Sequence, residues 1–158
     1  MTYHLAQINI ARLLAPIDDP QIADFVANLD RINALGDNWP GNVWRLQTED
    51  GDATAMRVFD DPMFIINMTV WESIEALFEF TYSSDHVDIF RRRGEWFEKM
   101  EKPHLVMWWV PAGHIPTVEE AKEKLEYIEQ RGPTPEAFTF KKRFTVEEML
   151  AARESAAD

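Results

Sequence analysis

The sequence predicts an α+β fold, a single antiparallel sheet with helices packed on it. Two observations carry that prediction. Segments with period-two hydrophobicity, at residues 3–13, 64–71 and 104–110, alternate along the chain with segments of helical period, at residues 20–36, 72–100 and 117–131. At 158 residues the chain has the length of one ordinary domain, enough to bury roughly two-thirds of its unfolded surface. The expected division is a single domain over residues 1–144, followed by a C-terminal helix and polar tail over residues 145–158.

The first strand, residues 3–13, sets Ala6, Ile8 and Ile10 on one face and Leu5, Gln7 and Asn9 on the other. Asp19 then caps a helix that begins with Pro20, carries Ile22, Phe25, Val26, Leu29 and Ile32 at helical spacing, and stops at Gly36. A short strand follows at residues 43–47, after the loop GDNWPGN, and residues 55–59 extend a hairpin towards the strand 64–71. In that strand Phe64, Ile66, Met68 and Val70 alternate with Ile65, Asn67, Thr69 and Trp71. A short helix over residues 72–82 breaks at Ser83 and Ser84, and a second helix runs from about Asp85 to Met100, ended by Pro103.

Residues 104–110 form a dense strand in which neither Leu105, Met107 and Trp109 nor Val106, Trp108 and Val110 make a polar face. Thr117 and Glu120 form a capping box for a helix with Val118, Ala121, Leu125 and Ile128 on one stripe, closed by Gly132 and Pro133. Residues 137–142 read as a last strand, and Thr145 with Glu148 caps a final helix that dissolves into a tail without core contacts. The element order is that of a ferredoxin-like α/β sandwich with an extra helix and a C-terminal helix. Such a sheet carries helices on one face. The other face, apolar as well, calls for a second copy, so a homodimer is expected. Six Trp, ten Phe and seven Met point the same way, as more aromatic and soft surface than one small core uses.

Composition excludes several functions. A net charge of −12 opposes binding to nucleic acid or an anionic membrane, and Arg91, Arg92 and Arg93 form a short basic run. With no cysteine there are no disulfides, thiolate nucleophiles or cysteine metal sites. The scattered His4, His104 and His114 lack metal-ligand spacing, and no apolar run approaches the ~18 residues of a membrane span. A cytoplasmic protein is expected. Nucleophile-elbow, phosphate-loop and dinucleotide-binding motifs do not occur.

Residues 82–100 hold the candidate chemistry. On one continuous helix His86, Phe90, Arg93, Phe97 and Met100 share a sector of about 80°, placing an imidazole and a guanidinium ~10.5 Å apart on an oily stripe. Buried polar groups need partners or a purpose. His86 can serve as general base or hydrogen-bond donor, or simply bond Ser83 or Asp85. Arg93 can bind a carboxylate, enolate or phenolate, or pair with one of the 28 acidic residues. Arg91 and Arg92 read as solvated. Tyr82, Phe90, Trp71, Phe97 and Trp109 are candidates for an aromatic pocket wall or for core, and Asn9 and Asn67 are internal amides that either steer a ligand or satisfy each other. His114 serves to hold the loop VPAGHIP.

The segments Trp71-Glu72-Ser73-Ile74-Glu75-Ala76-Leu77, Tyr82-Ser83-Ser84-Asp85-His86 and Trp108-Trp109-Val110-Pro111-Ala112-Gly113-His114 resemble, over nearly the whole chain, a bacterial family described as domain of unknown function 3291. That family resembles in turn the dimeric α+β barrel superfamily of antibiotic-biosynthesis and haem-degrading monooxygenases. The resemblance implies a pocket between helices and sheet in each subunit, with oxidative chemistry on aromatic substrates in some relatives. Cofactor-independent oxygenation or proton transfer on a small aromatic or polyketide-like molecule is therefore expected, with His86 as base and Arg93 stabilising the anion. Haem, or another hydrophobic ligand held without catalysis, is the alternative it implies. The haem degraders pair a strand Asn, for which Asn9 is the counterpart, with a helix Trp and His. Thr81 and Arg91 stand at those two helix positions here, so that mechanism is not implied.

Overall fold

The computed structural model describes residues 2–47, 63–83, 86–100 and 102–157. Four strands, β1 (Tyr3–Arg12), β2 (Asn42–Arg45), β3 (Phe64–Trp71) and β4 (Leu105–Pro111), form one sheet in the order β2-β3-β1-β4, every neighbouring pair antiparallel. Helices α1 (Ala23–Asp37) and α2 (Ile74–Ser83) occupy the two crossovers of this ferredoxin-like sandwich, with α3 (His86–Arg91) continuing after α2. Helices α4 (Val118–Arg131) and α5 (Val146–Ala157) follow β4. The expected extension at residues 55–59 and the break at Ser84 and Asp85 lie outside the described residues.

Strand periodicity sorts side chains as the sequence predicts. Ala6, Ile8 and Ile10, with Ile66, Met68, Val70, Val106, Trp108 and Val110, make one apolar face. It is not left for a second copy: Ala121, Leu125 and Ile128 of α4 pack on it within the same chain. The helix begins at Thr117, whose hydroxyl accepts from the Glu120 amide, and ends at Gly132, which takes φ 72°. The inference of a homodimer from an uncovered face therefore loses its premise. On the opposite face Leu5, Trp71, Met107 and Trp109 meet Ile74 and Leu77 of α2, Met149 of α5, and Phe138. A third cluster, Leu13, Ala15, Ile22, Phe25 and Trp96, closes the far end, joined by Ile65 and Ile89.

Three expected elements differ. The helix after α2 ends at Arg91 instead of running to Met100, and residues Arg93–Glu95 form only a 3-10 turn. Long-range hydrogen bonds win over local helical periodicity: Leu14 N donates to Trp96 O at 2.8 Å, Glu98 N donates to Arg12 O at 2.8 Å, and Trp96 is buried. The strand expected at residues 137–142 reduces to one residue, Phe138, which exchanges bonds of 2.8 and 2.9 Å with Met107, because Thr134 and Ala137 close a turn beside it. The C-terminal helix does not dissolve, since α5 runs to Ala157, while residues 151–156 are exposed as expected of a polar tail. A reciprocal box, Thr145 N to Glu148 Oε1 and Glu148 N to Thr145 Oγ1, both 3.1 Å, starts α5, and Met149 is only 1% exposed. Among the described residues no helix is long and apolar enough to cross a membrane.

Candidate functional site

The face of the sheet under α2 has a polar floor. Gln7 Nε2 donates to Thr69 Oγ1 at 2.6 Å and to Asn67 Oδ1 at 2.8 Å, and the Trp71 indole donates to Thr69 Oγ1 at 2.7 Å. Gln7 and Thr69 are 2% and 6% exposed, so this polar group is buried and largely satisfied. One row further along β1, the register sets Asn9 between Asn67 and Leu105. Asn9 is exposed although β1 is an interior strand, and both its neighbours are only half-buried. On one side of this row Met107 belongs to one apolar cluster, on the other Ile65 belongs to another, and this row falls between them. Among the described residues nothing hydrogen-bonds the Asn9 carboxamide or Asn67 Nδ2. Asn67 is the internal amide expected; Asn9 is not internal.

A ladder of rings leads away from this floor. Phe80 stacks on Trp71 at 5.4 Å, and His86 lies 5.2 Å from Phe80 and 6.4 Å from Phe90 between centroids. His86 Nδ1 is 3.2 Å from Thr81 O. A carbonyl only accepts, so Nδ1 carries the proton and the lone pair of the neutral ring is on Nε2. Burial lowers the pKa of His86 below its ordinary 6.5, with the Thr81 bond opposing this as the smaller effect. The imidazole is neutral at pH 7.

A family model described as Domain of unknown function (DUF3291) matches residues 4–154. The chain belongs to the DUF3291 family. No curated protein matches it. Among solved structures, PA3566 from Pseudomonas aeruginosa is 12% identical, with 70% of this chain and 94% of that one covered at TM-score 0.47. Rv0793 from Mycobacterium tuberculosis is 14% identical, with 72% and 99% covered at TM-score 0.46. SnoaB, a cofactor-independent oxygenase from Streptomyces nogalater, is 14% identical, with 71% and 95% covered at TM-score 0.44.

In this DUF3291 chain Arg93 does not share a helix face with His86, since α3 ends before it. It is exposed, lies 4.1 Å over the Phe90 ring and donates to Phe90 O at 2.9 Å. His86 and Arg93 thus meet through Phe90, which both touch. Arg92 is not simply solvated: it binds Asp24 and Glu95, each at 2.8 Å, and covers Trp96 at 4.8 Å. Arg91 faces Asp88 at 4.0 Å. Tyr82 is exposed and contacts Phe90 at 6.0 Å. Trp71 and Trp109 are core, the latter with its indole donating to Phe144 O at 2.9 Å, and Phe97 packs on Phe25 at 5.0 Å.

Sequence reasoning missed Thr69 and Phe80. Thr69 shares the parity of Asn67 on β3, which could have flagged it, whereas nothing local marks Phe80 as the ring joining Trp71 to His86. The Thr117 box is half-formed, because the Glu120 carboxylate goes instead to the Trp108 indole and His114, each at 2.8 Å. Through that bond His114 does tie down its loop. An open groove of about 340 Å³, lined by Arg12, Phe64, Glu98, Lys99, Met100 and Lys102, contains only one residue of the expected stripe, Met100. Among the described residues no group of three or more His, Asp or Glu is placed to hold a metal.

Proposed function

We propose that the chain binds a small aromatic or polyketide-like molecule over the Asn9–Asn67 row and removes a proton from it, the first step of a cofactor-independent, monooxygenase-like oxidation. What supports this is the opening over Asn9. A residue on an interior strand of a helix-covered sheet reaches solvent only where the covering layer parts, and carboxamides with unused hydrogen-bonding capacity line that gap. His86, neutral with its lone pair on Nε2, is the base. General-base assistance of this kind contributes ~10²–10⁴-fold.

The phenolate or enolate formed is met by N–H donors of Asn9 and Asn67 and, at the rim, by Arg93. Such an anion reduces dioxygen with its own electrons: at a ring CH2 carbon one oxygen atom becomes the carbonyl and the other leaves as water. The protein then supplies deprotonation, orientation and a dry site. The expected homodimer belongs to this proposal, and sedimentation at the mass of one chain would remove it.

Oxygen uptake with 1,8-dihydroxyanthrone is the direct test. The wild type is expected to exceed the buffer rate, and His86→Gln to lose about tenfold or more of the excess. Uptake equal to buffer, with no perturbation of tryptophan fluorescence by the anthrone, would sink the proposal. A Soret band on haem titration, lost in His86→Ala, would replace it with a haem-binding role.

A further inference from the structure

We infer that the molecule taken by this site is a planar aromatic anion, and that Arg143, in the segment between α4 and α5, is a specificity-determining residue for its charge. The inference rests on the proposed site and deepens it. In a chain of 28 acidic residues, arginines readily find carboxylates: Arg12, Arg45, Arg92 and Arg153 each lie within 2.8 Å of one. Arg93 and Arg143 do not, nor does Arg131, which covers the Tyr127 ring of its own helix α4. Among the described residues the Arg93 and Arg143 guanidinium groups meet rings and backbone carbonyls, with no carboxylate. Arg143 lies 4.8 Å over Phe78 and 5.6 Å over Phe140, and its Nε donates to Phe140 O at 3.0 Å.

The rings between the two arginines form a continuous surface. Phe78 contacts Tyr82 at 4.7 Å and Phe140 at 5.5 Å, Tyr82 contacts Phe90 at 6.0 Å, and Phe90 contacts His86 at 6.4 Å. Phe78 and Tyr82 are 39% and 40% exposed. A guanidinium stacked on a ring keeps most of its N–H edge for an outside acceptor, and its planar fork matches a carboxylate. Aromatic faces beside it suit a flat ligand. The anchoring is firm: Phe144, next to Arg143, accepts the Trp109 indole at 2.9 Å, and the Thr145–Glu148 box follows directly. Because the net charge of −12 repels anions at long range, a local cationic rim is what would admit one.

Two probes of one shape separate charge from ring: 2-naphthoate and the neutral 2-naphthalenemethanol, titrated against the full chain by tryptophan fluorescence. Wild type is expected to bind the anion about tenfold more tightly than the alcohol, the gain of a charge-assisted hydrogen bond. Arg143→Gln should lower the ratio several-fold without weakening the alcohol, Arg93 keeping the remainder, Arg143→Lys should keep more of it, and Arg143→Glu should lower it further. An unchanged melting temperature checks folding. Equal binding of the two probes by wild type, or a ratio unchanged in Arg143→Gln, would overturn the inference and leave the pocket standing. Binding of neither probe would overturn both.

Discussion

The two faces of the sheet obey different rules. Under α4 Ala6, Ile8, Ile10, Ile66, Met68, Val70, Val106, Trp108 and Val110 are apolar and buried under an apolar helix stripe. The polar exception among them is His4 at the start of β1, whose Nδ1 is buried without a hydrogen-bond partner among the described residues. Under α2 and α3 the middle rows carry Gln7, Asn67, Thr69 and Asn9, three of them joined by hydrogen bonds and the fourth open to solvent. Burying such groups costs free energy that apolar side chains would not, and the bonds to Thr69 offset it only in part. The α4 face is built for stability. The other face gives up some stability to keep polar groups under a gap, which is where a binding site is expected.

The sharpest way to break this contrast is to cut into the α4 face. Leu125→Ala removes a buried anchor between α4 and the sheet, and about 2–5 kcal/mol of stability should go with it, read as a lower urea midpoint. Binding of 2-naphthoate by the remaining folded protein should be unchanged. A loss of binding equal to the loss of folding midpoint would mean that the faces are not separable. On the polar face Thr69→Val leaves the Gln7 amide and the Trp71 indole without their shared acceptor, at an expected cost of about 1–3 kcal/mol. A neutral or stabilising result would show that the polar floor is not held by these bonds.

Much of this was legible in the sequence, and what was not has one cause. Alternation in residues 3–13 and 64–71 assigned each side chain to its face. The caps at Thr117 and Thr145 marked helix starts that the structure retains, and Asp19 caps a 3-10 turn, Pro20–Ile22, that leads into α1. These are local signals. The misread elements depend on partners distant in sequence. Residues 96–98 leave helical geometry because residues 12–14 bond their backbone, and α4 lies on the second face because its stripe meets Trp108 and Val110 there. Neither pairing leaves a mark in the local pattern. The stripe joining His86 to Arg93 dissolved for the same reason. Asn9 could be recognised as a polar residue in an apolar strand, but whether the helices part above it depends on how two separate clusters close.

His86 sharpens the contrast through pH. Its pKa in the folded chain lies below the ordinary 6.5, chiefly from burial, so just below that pH the unfolded chain binds more protons than the folded one. Stability is complete above about pH 6.5 and falls as the pH drops through the window between the two values. His86→Gln removes this dependence. Melting temperatures at pH 8 and pH 5 should therefore differ more in wild type than in the variant, and equal differences would show that the ring is not buried in solution.

The smallest effect expected concerns α5 beyond Met149, the residue by which that helix packs on the α2 face. Arg153 of α5 grips Glu136 through bonds of 2.7 and 2.9 Å, and Lys124 adds a third at 3.4 Å. The Arg153 bonds, more than Lys124, hold the Glu136 carboxyl below its usual range, so this stabilisation is present above about pH 4.5 and is lost as the pH falls through the lowered value. Both side chains keep substantial contact with water, which limits the pair to ~0–1 kcal/mol. Arg153→Ala should lower the neutral-pH melting temperature slightly and flatten its acid slope. Arg143 is held separately, by Phe144 on Trp109 and by the Thr145–Glu148 box, so the preference for naphthoate should survive. If Arg153→Ala abolished that preference at an unchanged melting temperature, the charge rim would belong to α5 as a whole and not to Arg143.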